Sequence, residues 1–164
     1  MAEMESRQNV STRFWMERSE IQPSPWVFSA GKRCFDVVIA SAMIVLLIPV
    51  LLLIATVIFV QDGETPLYGQ WRVGANGREF RLLKFRTMLS KPGPSVTAAN
   101  DSRILPFGRI LRRWKLDELP QLVNIVAGEM SIVGPRPKLS EHTLAIFPCR
   151  PGLTCAATIA YIAE

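Results

Sequence analysis

Histidine is nearly absent from this sequence. His142 is the only one among 164 residues, has no partner at a useful spacing, and reads as a surface side chain. Cysteine is almost as scarce: Cys34, Cys149 and Cys155 form no CxxC pair and show no metal-ligand spacing. An odd number without a framework excludes a disulfide scaffold and points to a reducing compartment. Aromatic residues are 9% of the chain and do not interleave with the basic ones as a nucleic-acid module requires, so no nucleic acid is expected as a partner. The most telling absence is local. From Val37 to Val60 no Lys, Arg, Asp, Glu, Asn, Gln or His occurs over 24 consecutive residues.

That run organises the chain. As a helix it would reach roughly 36 Å, more than the roughly 30 Å hydrocarbon core of a bilayer. It begins too far in, and is too long, for an ordinary signal peptide. Pro49 stands at its middle and is expected to kink it, leaving halves Val37–Ile48 and Val50–Val60 of about 17 Å each. Lys32 and Arg33 precede the run, and Arg72, Arg78, Arg81, Lys84 and Arg86 follow it. Cytoplasmic flanks are the ones that carry Lys and Arg, so basic residues on both sides conflict with a simple crossing. A re-entrant hairpin satisfies both flanks; a kinked single span is the alternative. Asp36 lies one helical turn from Lys32 and Arg33, close enough for neutralisation.

The net charge of +5 is unevenly placed. Residues 1–36 carry five basic and five acidic side chains, whereas residues 61–164 carry 14 basic and 9 acidic. A basic domain tethered to a bilayer meets anionic headgroups or phosphate-bearing substrates most simply. Residues 1–30 read as a loosely ordered arm with Trp15 and Trp26 suited to the membrane interface. After the run, Pro66–Val73 and Arg78–Met88 flank Gly74–Gly77 and read as a β-hairpin. Lys84, Arg86 and Met88 share one face of the second strand by its period of two. Ser90–Asn100, with two prolines and a glycine, is expected to be a loop.

Two helical stripes follow. Phe107, Ile110, Leu111 and Trp114 recur at i, i+3, i+4 and i+7, with Arg109, Arg112, Arg113 and Lys115 on the other face. Such a basic amphipathic helix is suited to the headgroup plane. The second stripe is Leu119, Leu122, Val123 and Val126, ended by Gly128. Asp117 is expected to be its N-cap, with Pro120 in the first turn.

Asp117 and Glu118 are the candidate chemistry. An ionised carboxylate is stabilised at a helix start, two adjacent carboxylates make a natural Mg²⁺ ligand set, and a carboxylate can be a covalent nucleophile in phosphoryl transfer. By itself an Asp-Glu pair before a helix only caps it. Lys84, Arg86, Arg112 and Arg136 add cations suited to clamping phosphate oxygens.

The segments KRCFD (32–36), the proline-broken run, YGQWRVG (68–74), FRLLKFRTM (80–88) and FGRILRRWKLDELPQLVNIVAGEMSIVGPRP (107–137) occur in this order. Together they resemble the bacterial sugar transferase family, the monotopic phosphoglycosyl transferases, over residues 31–154. The resemblance implies transfer of a phosphosugar from a nucleoside-diphosphate sugar to polyprenyl phosphate, the first step of polysaccharide or glycoconjugate assembly. It implies that Asp117 carries a covalent phosphosugar, supported with Mg²⁺ by Glu118. Gly134–Pro137, including Pro135, Arg136 and Pro137, would help bind the nucleotide sugar alongside Lys84, Arg86 and Arg112. Lys32, Arg33, Asp36 and Pro49 would set a re-entrant anchor, placing the chain at the cytoplasmic face of the bacterial inner membrane. Ile48 stands where the family often has Ser.

The expected fold is therefore α+β and mainly helical: an arm (1–30), a re-entrant membrane hairpin (31–61), a small cytosolic catalytic domain (62–154) with a β-hairpin and interfacial amphipathic helices, and an atypical tail (155–164). The lipid bilayer, the nucleotide sugar and polyprenyl phosphate are the expected partners, with a homodimer as an open alternative. The tail departs from the family after Thr154, so a truncated, non-catalytic membrane-anchored interaction protein is the competing expectation.

Overall fold

The computed structural model describes residues 24–89, 102–138 and 148–155. Nearly all of the expected arm, the 90–100 loop, His142 and residues 156–164 lie outside the described residues.

A short 3₁₀ turn, Pro25–Phe28, leads into helix α1, Ala30–Asp62. The boundaries of α1 follow from local chemistry. Ser29 accepts the Lys32 N–H at 3.1 Å as an N-cap. Gly63 ends the helix at φ 71°, a left-handed conformation natural to glycine, and donates to Phe59 O. Between them the helix runs unbroken through Pro49. The two separate halves expected from the sequence are thus one element. In a helix a proline removes one donor, which a bend can accommodate without a turn.

One thin stripe of α1 is covered. Asp36, Ala40, Ile54 and Ile58 are buried, with Ile44, Leu51 and Ala55 partly so. These positions recur every three or four residues, so they form one side of the helix along its length. Around it the helix is apolar and exposed: Leu46 is 76% accessible, Leu53 64% and Val60 77%.

The expected hairpin is present. Strands β1, Leu67–Val73, and β2, Glu79–Phe85, pair antiparallel from Val73 opposite Glu79 to Leu67 opposite Phe85. Asn76 and Gly77 take φ of 55° and 78° in the connection, a conformation these two residue types adopt with little strain. On β2, Phe80 and Leu82 enter one core cluster with Ala40, Leu122, Ile125 and Met130. Phe85 enters another with Ile54, Ile58 and Leu111. Phe80 and Leu82 differ in parity from Phe85, so the strand serves a different core on each side.

Beyond β2 the chain pairs with residues just before the next helix: Leu105 N–H donates to Thr87 O at 3.0 Å and Leu89 N–H to Arg103 O at 2.9 Å. This sets helix α2, Pro106–Arg113, against Thr87. A Cβ on Gly108 would collide with Thr87 backbone atoms, so the close approach requires glycine. A 3₁₀ turn, Leu116–Glu118, connects to helix α3, Gln121–Ala127, which Gly128 closes at φ 92°. Strands β3, Ser131–Val133, and β4, Gly152–Thr154, then pair in parallel.

The helical stripes are narrower than their spacing predicts. Leu111 is fully buried, but Ile110 and Trp114 are 52% and 69% exposed. In α3 the covered residues are Gln121, Leu122, Asn124 and Ile125, whereas Val123 and Val126 face outward. Asn124 explains the shift. Its Oδ1 accepts Leu83 N–H at 3.0 Å, and its Nδ2 donates to Arg81 O at 2.9 Å and to Glu129. The side chain thereby occupies the free edge of β2 as a neighbouring strand would.

Candidate active site

The junction between α2 and α3 carries the candidate acids. Lys115, at φ 57°, turns the chain out of α2 in a conformation uncommon for a residue with a Cβ. The turn that follows leaves Asp117 only 9% accessible. The expected N-cap role is not what Asp117 performs: α3 begins at Gln121, with Pro120 at the cap position and no side-chain cap bond. Instead Asp117 Oδ1 is buried without a hydrogen-bond partner.

Its electrostatics also differ from a capping carboxylate. Burial pushes the Asp117 pKa up as the largest effect, opposed by Lys84, reinforced by Glu118, and opposed again by a hydrogen bond from its own backbone N–H and by Arg112. The expected net stabilisation of the ionised form by a helix start is therefore outweighed by desolvation. The cations nonetheless hold the anion within reach, as a nucleophilic carboxylate needs.

Each neighbour has an anchor. By the strand period Lys84 continues the row of Phe80 and Leu82, and the row ends in a 2.9 Å ion pair with Glu118 Oε1. Arg112 donates through Nε to Thr87 Oγ1 at 2.8 Å. Thr87 is buried, and its carbonyl already fixes the start of α2, so one residue sets both the helix and its guanidinium.

The other two expected phosphate ligands lie apart from this group. Arg86 meets Asp62 at 3.5 Å, Glu64 at 3.3 Å and Thr65 at 3.2 Å, fastening the end of α1 to the domain. Arg136 is exposed on the Gly134–Pro137 turn. That turn is held by β4: Gly134 N–H donates to Thr154 O at 3.1 Å, and Gly152 N–H to Pro135 O at 2.9 Å. Pro135 and Pro137 flank Arg136 and are half-buried. The charges acting on Asp117 among the described residues are Lys84, Glu118 and Arg112, so the structure gathers two of the four expected cations around it.

At the other end of α1, Lys32 Nζ pairs with Asp36 Oδ1 and donates to Ser131 Oγ at 2.7 Å. Ser131 Oγ donates to Asp36 Oδ2 at 2.8 Å. Arg33 donates to the carbonyls of Ile125 at 2.6 Å and Val126 at 2.9 Å, satisfying the last turn of α3. Pro49 is exposed at mid-helix.

Thr87, Asn124 and Ser131 are organising residues that sequence reasoning misses. Asn124 alone leaves a trace, as a polar residue in the apolar string LVNIV. The Thr87 and Ser131 bonds join residues distant in sequence, which no local pattern exposes.

Comparison with known proteins gives this geometry a setting. The family described as bacterial sugar transferase matches residues 27–164. The chain is 41% identical over 150 residues to the exopolysaccharide production protein ExoY of Rhizobium meliloti (strain 1021), covering 76% of this chain and 66% of that protein. It is 41% identical over 141 residues to the UDP-glucose:undecaprenyl-phosphate glucose-1-phosphate transferase of Caulobacter vibrioides, covering 78% of this chain and 53% of that one. The Escherichia coli (strain K12) protein of the same name is 40% identical over 114 residues, 25% of its length. The chain thus spans from about two thirds to a quarter of these relatives. By the match over 27–164 and these identities, it belongs to the bacterial sugar transferase family.

Proposed function

We propose that this chain transfers a phosphosugar from a nucleoside-diphosphate sugar to polyprenyl phosphate at the cytoplasmic face of the bacterial inner membrane. The observation that carries the reading is Asp117: a buried carboxylate whose Oδ1 has no hydrogen-bond partner, between the Lys84–Glu118 pair and Arg112. A structural carboxylate at such burial is normally satisfied. One kept unsatisfied is available to a reacting atom.

An Asp117 carboxylate oxygen attacks the sugar-bearing phosphorus. The bond from that phosphorus to the nucleotide oxygen breaks, and nucleoside monophosphate leaves with the electron pair. A polyprenyl phosphate oxygen then attacks the aspartyl phosphosugar, the bond to Asp117 breaks, and polyprenyl diphosphosugar forms as the carboxylate is restored. Lys84 and Arg112 offset the burial of the anion and meet the charge developing on the phosphoryl oxygens. Glu118 holds Lys84 in place.

The residues fit Mg²⁺ as a partial ligand set. Asp117 Oδ1 is an unpartnered acceptor, and Glu118 has one oxygen engaged by Lys84. No group of three metal-binding side chains occurs among the described residues, so substrate phosphates would complete the shell, as Mg²⁺ commonly requires. Bound there, Mg²⁺ would neutralise phosphate charge.

The membrane assignment rests on α1. Its exposed apolar surface suits lipid, and its ends are tied to the same small domain, through Lys32, Arg33 and Asp36 at one end and Asp62 to Arg86 at the other. Both tethers supply a reason for the helix to enter the bilayer and return on one side, bent at Pro49, with Ile110 and Trp114 at headgroup level.

The test uses the full chain in detergent with Mg²⁺, UDP-glucose or another UDP-sugar, and undecaprenyl phosphate, measuring UMP release. Release that depends on the lipid and disappears in Asp117→Asn is expected. Full release by Asp117→Asn would refute the nucleophile.

A further inference from the structure

The second group of cations deserves a role of its own, and it centres on an arginine outside the set that sequence reasoning selects. Arg72 lies in β1, half-buried, with Nη2 donating to Gln70 Oε1 at 2.7 Å and Nε buried without a partner. The chain carrying Arg136 is brought beside it: Val73 N–H donates to Lys138 O at 3.0 Å, so residue 138 bridges to the outer edge of β1. The two guanidiniums are close enough to repel. Arg72 has its pKa lowered first by burial and next by Arg136, with Tyr68 opposing. Neither arginine forms a salt bridge with a described carboxylate.

Two facing guanidiniums, one with an unsatisfied buried donor, are an unfavourable arrangement in an empty protein and a favourable one around an anion. We propose that Arg72 and Arg136 form a phosphate site distinct from the charges around Asp117, taking a phosphate monoester or diester. Its position relative to Asp117 is defined by the hairpin. Arg72 is opposite Phe80, and Tyr68 is opposite Lys84, so Arg72 and Lys84 occupy one face of the sheet four residues apart, about 13 Å along the strands. Lys84 serves the carboxylates; Arg72 and Arg136 serve an anion further along the same face.

Two sources carry this chemistry: the phosphate of the departing nucleotide and a lipid headgroup. The site itself stands on its geometry, and only the nucleotide source rests on the proposed transferase reading. Calorimetric titration of UMP into the full chain in phosphatidylcholine nanodiscs separates these cases. For the nucleotide source, Arg72→Gln and Arg136→Gln each weaken UMP binding on the order of tenfold or more, the loss of a charge-assisted bond. Arg72→Lys weakens it too, because lysine keeps the charge without the planar fork. Arg136 is exposed, so its variant is a safeguard against misreading a folding defect, and thermal unfolding checks the Arg72 variants. For the headgroup source, UMP binding is unchanged, but native mass spectrometry finds less phosphatidylglycerol retained by both glutamine variants. If neither UMP nor phosphatidylglycerol binding changes, the proposal is overturned. UMP binding lost in Arg72→Gln but kept in Asp117→Asn supports the site whether or not turnover occurs, so its fate is separable from that of the nucleophile.

Discussion

Two aspartates are buried in this protein, and they are treated in opposite ways. Asp36, 2% accessible, has both oxygens satisfied: Oδ1 by Lys32 and by the Ile132 N–H at 3.3 Å, Oδ2 by Ser131 at 2.8 Å. Asp117, 9% accessible, keeps Oδ1 without a partner. The Asp36 network joins the apolar helix to β3, so its bonds are directed at structure. The Asp117 turn has cations nearby but no donor on that oxygen, so its energy is held for a ligand. Burial alone does not distinguish a structural carboxylate from a reactive one; satisfaction of its lone pairs does.

The largest stability effect is expected from breaking the satisfied member. Asp36→Ala removes one partner of a buried pair and strands Lys32, a loss of about 3 kcal/mol in unfolding free energy, measured by denaturant unfolding in detergent. Unchanged stability would mean that the tie between α1 and β3 contributes little. Asn124→Ala probes another fully satisfied buried group and leaves Leu83 N–H and Arg81 O without their edge partner. A loss of about 2 kcal/mol is expected in the same measurement.

The unsatisfied member should respond with the opposite sign. With chelator present, Asp117→Asn is expected to raise stability at neutral pH by about 1 kcal/mol, the usual exchange of function against stability. The pH dependence follows from the raised folded pKa. Between the unfolded aspartate value and that raised value the native state binds the extra proton, so wild-type stability falls as pH rises through this window. The advantage of Asp117→Asn is therefore complete above the folded pKa and vanishes below the ordinary aspartate range. A pH-independent difference in melting temperature would contradict the desolvated carboxylate. The smallest effect is expected from Thr87→Val, which frees Arg112: a fall in kcat of about threefold, under 1 kcal/mol, with UMP binding intact.

Much of this molecule is legible without coordinates wherever the cause is local. The uncharged run gives α1, and Asn76 and Gly77 give the hairpin because the left-handed turn needs such residues there. Asp117 and Glu118 stand out by type and neighbourhood. What fails is the environment of each. Asp117 looks like a cap because it precedes Pro120 by three residues, yet Lys115 reverses the chain and carries it inward toward Lys84, a partner 33 positions earlier. Ile110 and Trp114 fit a helical stripe, but Gly108 and Leu111 alone are buried in α2. Arg86 looks like a phosphate ligand and instead meets Asp62, a contact made only when the end of α1 returns to the strand. Pairings across the fold decide whether a charge holds structure or faces a ligand, and residue spacing does not encode them.

The contrast between the two aspartates converges on one covalent bond. The chain is incubated with a UDP-sugar radiolabelled in the sugar, without polyprenyl phosphate, then quenched and run on a denaturing gel. Label is expected on the wild-type polypeptide, discharged when undecaprenyl phosphate is added, and absent from Asp117→Asn. Label that persists on Asp117→Asn, or a wild-type chain that turns over without ever carrying label, would contradict Asp117 as the nucleophile.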